Sequence, residues 1–93
     1  MKEIDPDHGE IKSMHTKTSE RGRGVAAVLL AHIIGEARSR GYRRVSLETG
    51  SNDAFAPARA LYARFGFVLT DPFADYRPDP YSVFMTLDFT KDS

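Results

Sequence analysis

Apolar residues recur along this chain with two periods, and each period predicts one kind of element. Over residues 22–40 they recur every three or four positions, the spacing that forms one stripe along a helix. The stripe consists of Val25, Ala26, Leu29, Leu30, Ile33, Ile34 and Ala37. Gly41 predicts the end of this first helix, because glycine readily adopts the left-handed conformation that caps a helix.

A second helix is predicted within residues 53–67, DAFAPARALYARFGF. One of its faces carries Ala58, Leu61, Tyr62 and Phe65. Pro57 falls in the first turn, where the N–H that proline lacks would have no helical partner, and Gly66 ends the helix.

Alternation of apolar and polar residues, with a period of two, predicts the strands. They cover residues 10–16, 43–50, 67–69 and 81–89, with a lead-in loop at residues 4–9 and a turn at residues 50–53. The element order is therefore strand, helix, strand, helix, strand, strand. Since helical crossovers join parallel strands and a hairpin joins antiparallel ones, this order predicts an α/β fold. Its mixed sheet should have about four strands, of which the first pairs are parallel.

Composition narrows the class of protein. The 93 residues suffice for a single domain with a modest core, and 41% hydrophobic with 28% charged residues is typical of a chain that folds. Thirteen Lys and Arg balance thirteen Asp and Glu, which argues against a nucleic-acid partner, and the absence of cysteine excludes disulfides and thiolate metal sites. No run resembles a signal peptide or a membrane span of ~20 apolar residues, so a soluble cytoplasmic chain without a membrane partner is expected.

The start of the first helix, RGRGVA at residues 21–26, has the composition of an anion site. A helix that follows a loop presents unpaired backbone amides and the positive end of its dipole, and glycine lets a ligand approach the backbone. Arg21 and Arg23 add charge, which suits a pyrophosphate. The dinucleotide and ATPase glycine patterns are absent, and a loop with two solvated arginines accounts for this stretch equally well.

Two segments resemble the GNAT N-acetyltransferase superfamily. Residues 21–26 match its Arg/Gln-x-x-Gly-x-Gly/Ala motif, whose amides bind the pyrophosphate of acetyl-coenzyme A (acetyl-CoA). ARALYARFGF, residues 58–67, is similar to its later helix and turn, in which a tyrosine precedes Gly-Phe. The resemblance covers nearly all of the chain, which corresponds to the carboxyl-terminal half of the usual family domain. A single partial domain, the acetyl-CoA-binding half, is therefore expected over residues 1–93.

The resemblance implies a set of acetyl-CoA-binding residues. The pyrophosphate-facing amides would be those of Gly22, Arg23, Gly24, Val25 and Ala26, and Arg21 would be the first residue of the motif. The end of the preceding strand would contact the pantetheine and acetyl groups through Met14, His15 and Thr16. No metal is implied, and the spacing of His8, His15 and His32 is not that of metal ligands.

The same resemblance places Tyr62 at the position of the general acid that protonates the departing coenzyme thiolate. From periodicity alone, Tyr62 is better explained as a core aromatic. Glu48, at the end of its strand, is a candidate base for the acceptor ammonium, although a solvated carboxylate explains it more simply. The family often has an asparagine seven residues before the tyrosine, where this chain has Phe55, and the nearby Asn52 is out of register.

The implied function is transfer of an acetyl group from acetyl-CoA to a primary amine of a small molecule or protein. The alternative is a truncated coenzyme-binding or interaction module without turnover, and a purely structural fragment is a third possibility. Because the family's first strands are missing, the strand at residues 10–16 is expected to have an open edge. A two-fold homodimer that covers this edge is therefore expected.

Overall fold

The computed structural model describes residues 1–12 and 23–90, which form five strands and two helices. The strands are β1 (Lys2–Asp5), β2 (His8–Ile11), β3 (Arg44–Gly50), β4 (Val68–Leu69) and β5 (Ser82–Asp88). The helices are α1 (Arg23–Ser39) and α2 (Ala56–Arg64), and a short 3-10 turn, Asp53–Phe55, leads into α2. Both helices match the apolar periodicity, and Gly41 and Gly66 follow them with positive φ angles of 82° and 98°.

The sheet is mixed, with strand order β1-β2-β3-β5-β4. The parallel pairing of β2 with β3 and the antiparallel pairing of β4 with β5 confirm the predicted mixed α/β class. The expectation that the next crossover also joins paired parallel strands is wrong, because β5 lies between β3 and β4. β5 forms a seven-residue antiparallel ladder with β3 and leaves only its other edge for the two-residue β4.

The amino-terminal prediction is wrong in two respects. Residues 4–9 are not a lead-in loop, because β1 and β2 form an antiparallel hairpin that brings the sheet to five strands. The tight turn holds Pro6 and is closed by the Asp7 amide, which donates a hydrogen bond of 2.8 Å to Asp5 Oδ1. The second strand begins at His8, before the predicted residue 10, and ends at Ile11 within the described part of the chain. The expected open edge of this strand is therefore covered by β1.

The hydrophobic core lies on one face of the sheet, beneath both helices. Register places Ile11, Leu47 and Met85 side by side on this face. They pack in one cluster with Leu30 of α1 and Tyr62 of α2. Alternation directs the intervening strand residues to the opposite face, which carries the buried polar side chains.

The opposite face carries His8, Glu10 and Ser46, which are all buried. The loop between β4 and β5 covers it with two aromatic side chains, Phe73 and Tyr76, which pack against each other with ring centroids 5.1 Å apart.

Candidate functional site

α1 lies in the crossover between the parallel strands β2 and β3, so its first turn follows the carboxyl end of β2 along the chain and its last turn precedes β3. In sheets of this kind ligands bind in the crevice outside the carboxyl ends of the strands. Residues 23–26 are the first four of the helix, so their amides have no partner within it. Apart from the backbone of its own helix, a side chain at Gly24 would meet no described residue within 4 Å, and Val25 is 65% exposed.

The structure describes some of the predicted coenzyme-binding residues. The start of α1 is formed by Arg23, Gly24, Val25 and Ala26, and the side chain of Ala26 is buried. The other predicted residues, Met14, His15, Thr16, Arg21 and Gly22, lie outside the described residues. Their roles stay predictions.

Tyr62 lies within α2 and is 6% exposed. Its ring is tilted against that of Phe67, with centroids 5.8 Å apart, and no described residue makes a hydrogen bond to its hydroxyl. Burial raises the pKa of Tyr62, so the phenol keeps its proton at neutral pH, as a proton donor must. These properties fit both interpretations from the sequence, general acid and core aromatic.

Glu48 is exposed on β3, and its Oε2 accepts a hydrogen bond of 2.7 Å from Ser82 Oγ. It lies on the polar face of the sheet, where its charge contributes to the raised pKa of Tyr76. A solvated carboxylate and a base that exchanges protons with water are both consistent with this position.

The sequence analysis missed a buried carboxylate on the same face. Glu10 is 2% exposed, and its Oε2 accepts a hydrogen bond of 2.5 Å from the Tyr76 hydroxyl. This hydrogen bond, together with burial and the charges of Glu10 and Glu48, raises the pKa of Tyr76 to about 12. Lys12 Nζ lies 3.8 Å from the same carboxylate oxygen and 5.8 Å from the centre of the Tyr76 ring.

A second cluster of polar side chains lies towards the amino ends of β2 and β3. His8 Nε2 is 2.6 Å from Ser46 Oγ, and Ser46 donates a hydrogen bond of 2.9 Å to Thr86 Oγ1. Burial, and then the positive charge of Arg44, lowers the pKa of His8 below its usual value. A cavity of about 350 Å³ adjoins this group beneath Phe73. Because α1 follows the carboxyl end of β2, this cavity lies at the other end of the strands.

The loop after β3 is fixed by α2. Arg59 Nη1 donates hydrogen bonds to the backbone oxygens of Gly50, at 2.6 Å, and Asn52, at 2.9 Å. The Phe55 ring occupies the space above Gly50 where any side chain would have its Cβ. The departure from the family's asparagine thus replaces an amide with a ring that packs against the end of β3.

Comparisons with known proteins agree with this geometry. The model of the acetyltransferase (GNAT) family matches residues 1–67. The chain belongs to this family of acyltransferases. The uncharacterized N-acetyltransferase YsnE of Bacillus subtilis (strain 168) is 60% identical over 86 residues, which are 92% of this chain and 57% of that protein.

Two solved structures share the GNAT fold. A protein from Klebsiella pneumoniae, assigned as an acyl-CoA N-acyltransferase, superposes with a TM-score of 0.78 at 37% identity, over 89% of this chain and 56% of the other. A GNAT family acetyltransferase from Elizabethkingia anophelis, solved with acetyl-CoA bound, superposes with a TM-score of 0.70 at 20% identity, over 90% of this chain and 62% of the other. The chain therefore spans little more than half the length of the proteins it matches.

The described part of the chain contains neither a cluster of metal ligands nor a helix that could span a membrane. Among residues 1–12 and 23–90, no three His, Asp or Glu side chains converge as a metal site requires. Neither α1 nor α2 combines the length and apolar character that a membrane crossing needs.

Proposed function

We propose that this chain binds acetyl-CoA at the first turn of α1 and, within the complete family architecture, transfers the acetyl group to a primary amine. The observation that carries the proposal is the first turn of α1, a helix in the crossover between two parallel strands, where a side chain at Gly24 would meet no described residue within 4 Å apart from the backbone of its own helix. Backbone amides at a helix start suit a pyrophosphate, and the family assignment supports the choice of the pyrophosphate of acetyl-CoA. Acetyl-CoA bound to the Elizabethkingia anophelis protein supports the choice of donor.

The proposed reaction is direct attack by a neutral amine on the thioester carbonyl. The C–N bond forms, the C–S bond breaks, and backbone amides at the predicted contact residues 14–16 stabilise the oxyanion. A carboxylate takes the proton that the acceptor ammonium must lose before it attacks, and Tyr62 gives its proton to the departing thiolate. The nitrogen loses its second proton to water as the amide forms, and water returns a proton to Tyr62.

Two carboxylates on the polar face can accept that proton. Glu48, the candidate from the sequence, is exposed and bound to Ser82. Glu10 is buried, its position is fixed by Tyr76, and an ammonium group already lies 3.8 Å away. We assign the role to Glu10, because a base acts from a fixed position within reach of the proton it removes.

The test follows release of coenzyme A thiol from acetyl-CoA in the presence of a set of primary amines, with the corresponding tertiary amines as controls. Primary amines should raise the release rate and tertiary amines should not, because only the former yield a stable amide. Glu10→Gln should lower the rate roughly 100-fold while Glu48→Gln changes it little. A larger decrease in Glu48→Gln than in Glu10→Gln would make Glu48 the general base. Thiol release that does not depend on an added amine would contradict the transferase proposal.

The alternative function is a coenzyme-binding or interaction module without turnover. It is favoured by one observation, that the chain spans little more than half of its relatives. Calorimetry with coenzyme A separates the two functions, since the module predicts saturable binding without thiol release.

The remaining expectations belong to the same proposal: a single partial GNAT domain over residues 1–93, a cytoplasmic location and a homodimer. β1 covers the edge of β2, so this edge does not call for a partner. The outer face of α1 does, because its Val25, Val28 and Leu29 are 65%, 72% and 40% exposed. A two-fold dimer would remove this apolar surface from water.

A further inference from the structure

Two buried side chains of β2 each keep one polar atom without a partner among the described residues. His8 and Glu10 are 5% and 2% exposed and lie two residues apart on the polar face of the sheet. Their hydrogen bonds and ion pairs to described residues involve only His8 Nε2 and Glu10 Oε2. No fully buried side-chain nitrogen or oxygen in the described part of the chain lacks a partner, so His8 Nδ1 and Glu10 Oε1 border open space.

A chain of hydrogen bonds fixes which ring nitrogen of His8 carries the proton. Thr86 Oγ1 donates to the carbonyl oxygen of Val45 at 3.3 Å, and Ser46 Oγ donates to Thr86 Oγ1 at 2.9 Å. Because the hydroxyl proton of Ser46 is used in this way, the 2.6 Å contact with His8 is a hydrogen bond donated by Nε2–H. Burial lowers the pKa of His8, so the ring is neutral at neutral pH and Nδ1 is a hydrogen-bond acceptor.

The open space beside His8 is the cavity of about 350 Å³ beneath Phe73. A ligand in this cavity meets an acceptor atom that only a hydroxyl or an N–H group satisfies. Arg44, Asp5 and Asp71 also line the cavity, and the positive charge of Arg44 acts on His8 more strongly than the negative charge of Asp5. This balance disfavours an ammonium group beside the ring and favours a neutral hydroxyl.

Glu10 supplies a second contact for the same ligand. Its Oε2 accepts the hydrogen bond of the Tyr76 hydroxyl and faces Lys12, which leaves Oε1 for an ammonium group. Residues two apart in a strand lie about 7 Å from each other on one face of the sheet. A chain of about four carbon atoms spans this distance between a nitrogen at Glu10 and an oxygen at His8.

We infer that the acceptor of the proposed reaction is a primary amine with a hydroxyl group about 7 Å from its nitrogen, bound between Glu10 and the His8 cavity. The ammonium pairs with Glu10 Oε1, and the hydroxyl donates a hydrogen bond to His8 Nδ1. The nitrogen then lies nearer the carboxyl end of β2, which precedes α1, and the hydroxyl lies nearer the amino end. The inference rests on the proposed function and deepens it, because the carboxylate that binds the ammonium is the proposed base.

The test compares three amines of similar length: 4-aminobutanol, pentylamine, in which a methyl group replaces the hydroxyl, and cadaverine, in which a second ammonium replaces it. Each is titrated into the ¹⁵N-labelled full chain, with and without coenzyme A, and the imidazole nitrogens are followed by NMR. The resonance of His8 Nδ1 should shift saturably, and 4-aminobutanol should bind roughly 10-fold more tightly than the other two, because a methyl group leaves Nδ1 without a donor and a second ammonium lies beside Arg44. The imidazole of His32, which is exposed on α1, is the control and should not respond to the amines.

Two variants separate the contacts. His8→Leu removes the acceptor atom and keeps a side chain of similar size, so it should bind pentylamine at least as tightly as 4-aminobutanol. Glu10→Gln should weaken the binding of all three amines, because each loses the same carboxylate. Equal affinities of the parent for 4-aminobutanol and pentylamine, tighter binding of cadaverine, or no binding at His8 would overturn the inference, whether or not His8→Leu folds.

Thiol release from acetyl-CoA, measured on the same preparation, separates this inference from the proposed function. Release that depends on primary amines but is equal for 4-aminobutanol and pentylamine refutes the inference alone. Saturable binding of 4-aminobutanol at His8 without any thiol release supports the amino-alcohol site and refutes the proposed transferase.

Discussion

Gly24→Val is the sharpest perturbation of the proposed coenzyme site. Apart from the backbone of its own helix, a side chain at residue 24 would meet no described residue within 4 Å, which leaves room for the valine beside the described part of the chain. Helix propensity favours valine over glycine by a few tenths of a kcal/mol, and the fold should be as stable as the parent or slightly more so. The variant therefore changes only what can approach the backbone at the start of α1.

The effect on binding follows from the same open space. If the pyrophosphate lies against the Gly24 backbone, the valine methyl groups occupy part of its volume. Overpacking of this kind costs about 1–3 kcal/mol. At 1.4 kcal/mol for each factor of ten, the dissociation constant for coenzyme A should rise about 5- to 150-fold.

Gly35→Val is the matched control, because Gly35 lies in the same helix and its Cβ would also meet no atom within 4 Å. Isothermal titration calorimetry would measure coenzyme A binding to the parent and both variants, with thermal unfolding followed by circular dichroism. Only Gly24→Val should bind more weakly. Equal affinities for the two variants would refute the proposal that the pyrophosphate lies at the start of α1.

Three other predictions concern the buried hydroxyl, the buried histidine and the oligomer. Tyr62→Phe should keep the fold and coenzyme affinity but lower turnover roughly 10- to 100-fold, and unchanged turnover under rate-limiting chemistry would make Tyr62 a core aromatic. The pKa of His8 is lowered in the folded chain, so below pH ~6.5 the unfolded chain binds more protons than the folded one. The contribution of His8 to the free energy of unfolding should therefore be greatest above this pH and decrease as the pH falls below it. Urea titrations of the parent and His8→Gln would check this, and parallel pH profiles would count against it. Sedimentation at low micromolar concentration should find a dimer. A stable compact monomer would contradict the proposal that a second chain covers the exposed outer face of α1.

The parts of the fold that the sequence predicted are those in which one periodicity dominates. The Tyr62 face of α2 was predicted correctly, and so was most of the α1 stripe, because Leu30, Ile33, Ile34 and Ala37 lie in or against the core. The stripe was wrong at Val25 and Leu29, which are 65% and 40% exposed. β1 was missed because an edge strand needs no apolar alternation, and its residues are mostly exposed and polar. The position of β5 between β3 and β4 depends on long-range pairing, which a local pattern does not encode.

The candidate site was likewise predicted only in part. A local motif located the start of α1, because the glycines and the helix adjoin in the sequence. Glu10 was not recognised, because its burial depends on Tyr76, which is 66 residues away on a loop. Neighbouring residues of a strand point to opposite faces, so Glu10 lies opposite Ile11, but a local pattern does not show that a loop covers that face.

The central claim, that acetyl-CoA binds at the start of α1, is tested most directly by titrating ¹⁵N-labelled protein with acetyl-CoA and following the assigned amide resonances by NMR. The account predicts saturable shifts that are largest for residues 23–26 and for the carboxyl ends of β2 and β3. The His8 cavity, at the other end of these strands, should show the smallest changes. An absence of saturable shifts, or shifts centred on His8 and Ser46, would contradict it.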